Sequence, residues 1–167
     1  DKTATLSVGK SEVSKIVSLC NEFSEIELLK FAAALEQNSE HPIATGIIEK
    51  AKELSVFILS AEKFNAITGK GVEATVDNND IKVVSPGYLI EQSISLPANY
   101  NTDESETVVF VLVNDKLAGF ISLADSIRPE SAEAIKILHN NIKSVLLTGD
   151  NKQVAETVAK KLGMTSF

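Results

Sequence analysis

Cysteine is nearly absent from this chain: Cys20 is the only one in 167 residues. No disulfide can form within the chain, which suits a reducing compartment. Histidine is almost as scarce, and Cys20, His41 and His139 lie too far apart in sequence to suggest a metal-ligand cluster. No zinc or copper site is therefore expected. No apolar run approaches the roughly 18 to 20 residues needed to span a bilayer. The first residues carry neither a signal-peptide nor a transit-peptide pattern. They also lack an initiator Met, so the chain reads as cut from something larger, or as renumbered. Positive charge is in short supply: 16 Lys and Arg face 23 Asp and Glu, a net charge of −7. The one tight basic run, Lys160-Lys161, reads as a solvated helix end. Nothing offsets the acidic balance, so nucleic acid is not an expected partner. Internal repeats and low-complexity tracts are absent too.

What is present suits a packed core. Hydrophobic residues make up 44% and charged residues 23%, the balance of a soluble globular chain. The length allows one domain, or one and a fraction. A strand is expected over 9–19. A helix follows over 25–38, where Ile26, Leu29, Ala33 and Leu35 recur near every 3.6 residues. Pro42 suits a first helical position, and Ile43, Ile47, Ile48, Ala51 and Leu54 continue a second helix. The period then changes to that of strands, at 64–68, 72–76 and 81–84, with a turn at 77–79. A polar loop over 96–106 leads to two apolar strands, 107–113 and 117–123, joined as a hairpin. Beyond Asp125 come a helix from Pro129 to about His139, a strand over 144–147, and a helix over 151–162 capped by Gly163. Helix–strand–helix is the rhythm of a parallel α/β sheet. The chain thus divides into 1–9, an α+β unit over 10–118, and part of an α/β unit over 119–167.

Five short motifs carry possible chemistry. In Asp1-Lys2-Thr3-Ala4-Thr5-Leu6, a carboxylate can attack a phosphoryl group and hold it as an acyl phosphate. Lys2, Thr3 and Thr5 supply the cation and donors such a group needs. The same residues also read as a frayed terminus. Leu146-Leu147-Thr148-Gly149-Asp150-Asn151 ends a strand, turns tightly and starts a helix, a cradle for phosphate; it also reads as a plain junction with an N-cap. In Ser39-Glu40-His41-Pro42, the histidine can stack on an adenine ring and the glutamate can accept from its amino group. A lone histidine there also serves as a helix cap. Gly69-Lys70-Gly71 permits close approach of backbone to a phosphate or ribose, or is a hairpin turn. Asp125-Ser126-Ile127-Arg128-Pro129 offers Arg128 to phosphate and Asp125 to a ribose hydroxyl, or is a helix start with a surface ion pair.

The order of these motifs resembles the P-type ATPases. Asp1 to Leu6 is similar to that family's phosphorylation motif, Asp125 to Pro129 to its interdomain hinge, and Thr148 to Asn151 to its Thr-Gly-Asp-Asn segment. Ser-Glu-His-Pro followed by Gly-x-Gly resembles the heavy-metal-transporting branch. Ser85-Pro86-Gly87-Tyr88 is similar to the copper-exporting, CopB-like subgroup. The resemblance implies an α+β nucleotide-binding domain, an antiparallel sheet with flanking helices, plus part of an α/β haloacid-dehalogenase-like phosphorylation domain. It implies ATP and Mg²⁺ as cofactors. Asp1 is then the phosphorylated residue, and Asp1 and Thr3 belong to an incomplete Mg²⁺ site. Lys2 stands beside the acceptor. Thr5, Thr148 and Gly149 hold phosphate, and Asp150, Asp125 and Arg128 sit by the nucleotide. Glu40, His41, Gly69 and Gly71 surround adenine, with Gly87 as a further binding glycine. Membrane and actuator domains of the same parent are the implied partners. The parent sits in the cell membrane, and this portion is cytoplasmic, soluble and monomeric.

Two departures bear on activity. Ala4 stands where the family has glycine. The family's Gly-Asp-Gly-x-Asn-Asp motif, with Mg²⁺ ligands, has no counterpart here, so nucleotide binding without turnover is expected. A haloacid-dehalogenase-type phosphatase would have a second aspartate where Thr3 stands, and a non-catalytic interaction domain would bind no ATP. Asp1→Asn should leave ATP affinity unchanged by calorimetry, because the role of Asp1 is chemistry rather than base recognition.

Overall fold

The computed structural model describes residues 6–98, 106–138, 144–146, 156, 158–160 and 162–164. The chain folds as two compact units. One comprises Asp1–Lys10, Asp103–Glu106 and Asp125–Phe167, and the other Ser11–Thr102 and Thr107–Ala124.

The larger unit is built on an antiparallel sheet of order β1-β6-β5-β4-β3-β2. The strands are β1 (Ser7–Ser18), β2 (Glu62–Ile67), β3 (Gly71–Val76), β4 (Asn79–Val84), β5 (Thr107–Val113) and β6 (Lys116–Ile127). The expected division at 118/119 falls inside β6, whose pairing with β5 continues to Leu123. The chain leaves this unit after Ala124 instead.

Two hairpins set the register. Asp77-Asn78 and Asn114-Asp115 all have positive φ, the conformation of two-residue turns that match strand twist and that Asn and Asp tolerate. The turns are thus one residue shorter than expected, because Asn79 and Lys116 already belong to strands. Asn114 reinforces both: its Oδ1 accepts from Asp80 N at 3.0 Å, and its Nδ2 donates to Asn79 Oδ1 at 2.9 Å.

Helices α1 (Glu25–Glu36) and α2 (Pro42–Glu53) cover one face, and α3 (Pro86–Glu91) the other. A capping box starts α1: Ser24 Oγ accepts from Glu27 N, and Glu27 returns a carboxylate to Ser24 N. Such caps satisfy otherwise orphaned amides. From Phe31 to Glu36 every residue of α1 is buried, because Ala32, Ala33 and Ala34 are small enough to be packed on all sides. On the helix face of the sheet lie Val72, Ala74, Val76, Ile81, Val83, Val109, Val111 and Val113. On the opposite face lie Val84, Val108, Phe110, Leu112 and Phe120, with Leu89 of α3. β5 is covered on both sides, which explains its unbroken apolar run. The short helix α3 was not among the expected elements: six residues hold too little periodicity to read.

The smaller unit has its own core of Ile135, Leu146, Val158, Ala159, Leu162 and Met164, with Leu6 against it. Helix α4 (Pro129–Leu138) belongs here. Of the expected strand 144–147, Val145 forms a bridge, and residues 156 and 158–160 are helical.

One close approach holds α2 to the sheet. A Cβ on Gly46 would lie 1.9 Å from the Ser11 carbonyl oxygen and 3.2 Å from Leu123 Cδ2. The obstacle is backbone and cannot rotate away. Gly46→Ala should therefore destabilise by about 2 kcal/mol or more, read as a lower urea midpoint with an unchanged slope.

Candidate functional site

The end of α1 and the start of α2 form the first cluster. Glu36 lies seven residues after Leu29 and four after Ala32, in phase with the buried stripe, and is 3% exposed. Its Oε2 has no hydrogen-bond partner. Burial raises its pKa above the ordinary value, opposed in part by a hydrogen bond with the Ser39 side chain. A carboxyl removed from water favours its neutral form. Ser39 also joins the next element, since its Oγ accepts from His41 N at 3.2 Å. His41 is the N-cap of α2: its Nδ1 accepts from Ile43 N at 3.3 Å. That bond orients the exposed ring and leaves Nε2 and the ring faces open. Glu40 is exposed.

The glycine turn and the Ser85–Tyr88 segment meet as a second cluster. Lys70 N donates to Ile67 O at 2.8 Å, and Ser85 N donates to Lys70 O at 2.7 Å. Lys70 Nζ pairs with Glu91 at the far end of α3. Both partners are substantially exposed, so the pair contributes at most about 1 kcal/mol; its consequence is that the charge of Lys70 is already balanced. Gly71 has φ +145°, and a Cβ there would lie 2.1 Å from Val83 O. The sheet itself demands this glycine. Gly69 has φ +68° with open space where a Cβ would go, so its backbone is accessible. Gly87 is helical, in α3, and a Cβ would meet nothing nearer than Ser85 Oγ at 3.7 Å; no backbone constraint calls for glycine there.

In the smaller unit, three motifs converge on Leu6. Arg128 N donates to Leu6 O at 3.0 Å, and Arg128 O accepts from Ser131 N at the start of α4. Leu6 packs on the cluster containing Leu146. The end of the first motif thus meets the fifth directly and shares a core cluster with the second, although more than a hundred residues separate it from either. Asp125 and Arg128 are half-buried. Asp1, Lys2, Thr3 and Thr5 lie outside the described residues, as do Thr148, Gly149 and Asp150.

Among the described residues, no group of three or more His, Cys, Asp and Glu is arranged to hold a metal, and no helix is long and apolar enough to cross a membrane. Two surface depressions, of ≈ 250 and ≈ 280 Å³, are lined by residues such as Lys63, Glu73, Asp80 and Lys82, and Leu59, Glu62 and Asp77. Neither includes a motif residue.

Glu36 and the linking role of Ser39 were not anticipated from sequence. The available signal was phase: a glutamate closes the Phe31–Leu35 run at a core position.

The family model of the haloacid dehalogenase-like hydrolases matches residues 1–167, and the chain belongs to that family. More particularly, it is similar over its whole length to copper-exporting P-type ATPases. It is 46% identical over 170 residues to copper-exporting P-type ATPase B of Archaeoglobus fulgidus, covering 100% of this chain and 24% of that protein. The Enterococcus hirae protein of that name is 37% identical over 172 residues, covering 100% and 23%. The chain therefore spans about a quarter of the length of these relatives. Among solved structures, a zinc-transporting PIB-type ATPase in its E2.Pi state superposes with a TM-score of 0.87 at 36% identity, covering 100% of this chain and 28% of that one. The catalytic CPx-ATPase domain CopB-B gives a TM-score of 0.63 at 26% identity, covering 99% and 57%.

The buried carboxyl generates a stability prediction. The folded pKa of Glu36 lies above the ordinary 4.5, so the unfolded chain ionises first and stability is lost as pH rises from there through the folded pKa. Glu36→Gln removes that loss. Its Tm relative to the parent should rise with pH from the ordinary 4.5 upward; a difference independent of pH would contradict a raised folded pKa.

Proposed function

We propose that this chain is the nucleotide-binding, catalytic portion of a copper-exporting P-type ATPase. The observation that carries this reading is the convergence at Leu6, which gathers the ends of the aspartate motif, the Asp125–Pro129 hinge and the Leu146–Asn151 motif. The larger unit holds the adenine nucleotide through Glu36, Ser39 and His41, with accessible backbone at Gly69. Glu40, Gly71 and Gly87 border the same ligand. In the smaller unit, Asp1 is the phosphoryl acceptor. Its carboxylate oxygen forms a bond to the γ-phosphorus as the bond to the bridging oxygen breaks, and ADP leaves. Water later cleaves the acyl phosphate to restore Asp1 and release phosphate. Lys2 relieves charge repulsion on approach, Thr5, Thr148 and Gly149 donate to the phosphoryl oxygens, and Asp150, Asp125 and Arg128 position the nucleotide. Mg²⁺ supplies charge neutralisation when bound. Asp1 and Thr3, the residues for it, lie outside the described residues.

In the parent, phosphorylation and hydrolysis drive ion movement through a membrane portion in concert with an actuator domain, with this portion in the cytoplasm. Copper is the proposed cargo, on the likeness to the relatives above; zinc is the alternative suggested by a structural neighbour. By itself, the chain binds nucleotide as a monomer without turnover.

An ATP titration followed by amide NMR tests the reading. Shifts are expected around Glu36, His41 and Gly69. His41→Ala should weaken ATP binding roughly three- to tenfold, the scale of one ring stack. His41→Asn keeps a capping acceptor but loses the ring, so it should bind as weakly while remaining more stable than the alanine variant. Wild-type affinity in His41→Asn would reduce His41 to a helix cap.

A further inference from the structure

Among the motifs of the larger unit, only Gly69-Lys70-Gly71 carries a permanent positive charge. Ser39-Glu40-His41-Pro42 and Ser85-Pro86-Gly87-Tyr88 contain no lysine or arginine. Glu36 and Glu40 add two carboxyl groups to the cluster around His41. A nucleotide held by these residues brings several negative charges on its phosphates to a chain whose net charge is already −7. Contacts to the base do nothing to offset that repulsion. Lys70 is the cation placed to do so, and it is engaged elsewhere: its Nζ pairs with the Glu91 carboxylate.

The turn fixes where this lysine starts and leaves its charged end able to change partners. Lys70 N donates to Ile67 O at 2.8 Å, and Lys70 O accepts from Ser85 N at 2.7 Å, so its backbone is held from both sides. Gly69, just before it, has open space where a Cβ would go, and nothing there blocks a phosphate. From this anchored position a flexible four-carbon stem carries the ammonium. Glu91 is the last residue of α3, the end of a helix that disfavours an anion. Its neighbour Ile90 is exposed, so packing gives no reason for an acid there; its partner is Lys70. Lys82 does not substitute for Lys70. It pairs with Asp115, in the turn that meets Asp80 at the opposite ends of β3 and β4.

We propose that Lys70 is the cation with which the larger unit binds the polyphosphate of ATP, and that Glu91 holds this lysine in the empty state and releases it when ATP binds. The proposal rests on the nucleotide-binding reading above. Glu91 offers a single charge, and the two side chains are 34% and 55% exposed. Competition from Glu91 therefore weakens ATP binding by no more than about fivefold. A triphosphate offers several charges and charge-assisted hydrogen bonds to an ammonium, and so takes the lysine. Adenosine has the same base and ribose but no phosphate, and it leaves the Lys70–Glu91 pair intact. The exchange makes the larger unit sensitive to phosphate as well as to the base, and it frees Glu91 only when phosphate is bound.

The test uses the intact chain in metal-free buffer, with ATP and adenosine as probes. Carboxyl ¹³C NMR follows Glu91, assigned through its own backbone. Its signal should move on saturation with ATP and stay in place with adenosine. Amide NMR titrations then give both affinities for the parent and each variant. Glu91→Gln should raise ATP affinity about two- to fivefold and leave that for adenosine unchanged. Lys70→Met keeps the apolar stem; it should lower ATP affinity about three- to tenfold, again without effect on adenosine. With Lys70→Met already in place, Glu91→Gln should bring no gain. An equal gain in that background means that Glu91 acts by its own repulsion of phosphate, and overturns the exchange. So does a Glu91 signal that ATP leaves unmoved, or a ratio of ATP to adenosine affinity that Lys70→Met does not change. In each of these cases nucleotide binding stands. Failure of ATP and adenosine alike to shift the His41 and Gly69 amides overturns the nucleotide reading, and this proposal with it.

Discussion

Burial of β5 on both faces is the constraint on which the larger unit depends. Val109, Val111 and Val113 point toward α1 and α2, and Val108, Phe110 and Leu112 toward α3 and Phe120. Each such side chain contributes roughly 1.5–3 kcal/mol when removed from water. A slip of one residue would exchange the two faces of β5 and misplace both layers at once. The Asp77-Asn78 and Asn114-Asp115 turns prevent that slip, and Asn114 ties the two turns together. The helices can then be packed tightly, down to the backbone approach of Gly46 on Ser11.

This rigid base sets the junction between α1 and α2, where the candidate nucleotide residues lie. Ser39 couples the end of one helix to the start of the next, accepting from His41 while bonding Glu36. Leaving a buried polar atom unpartnered costs about 1–3 kcal/mol. Position 36 is 3% exposed in phase with the buried stripe of α1, so packing alone does not account for a glutamate. Such violations of local consistency concentrate at functional sites. The glycine turn shows the reverse. Gly71 has a complete structural explanation in the close approach of Val83, and Lys70 is engaged by Glu91; Gly69 alone of that motif keeps an unobstructed backbone.

The smaller unit brings its motifs together by a different route. Leu6 is both the last residue of the aspartate motif and part of the core around Leu146, and its carbonyl receives the Arg128 amide. Hydrophobic packing and one main-chain hydrogen bond thus bring the Leu6 segment to two others more than a hundred residues away in sequence. Such convergence is the arrangement expected of a site in an α/β unit, where ligands sit beyond the strand ends.

The amino-acid pattern by itself determined the two helices that start at Glu25 and Pro42, the strands from β3 to β6 and both hairpins, because period, caps and turn residues act over a few neighbours. It also determined the family, through short motifs whose order survives without any knowledge of contacts. Tertiary structure alone decided three things. It carried β6 past the expected division at 118/119, because pairing with β5 extends to Leu123. It formed α3, in which Leu89 is buried against β4 and β5 despite a helix of only six residues. It also turned Glu36 from a polar residue at a helix end into a buried acid, since burial depends on what packs over a residue, which local sequence does not show.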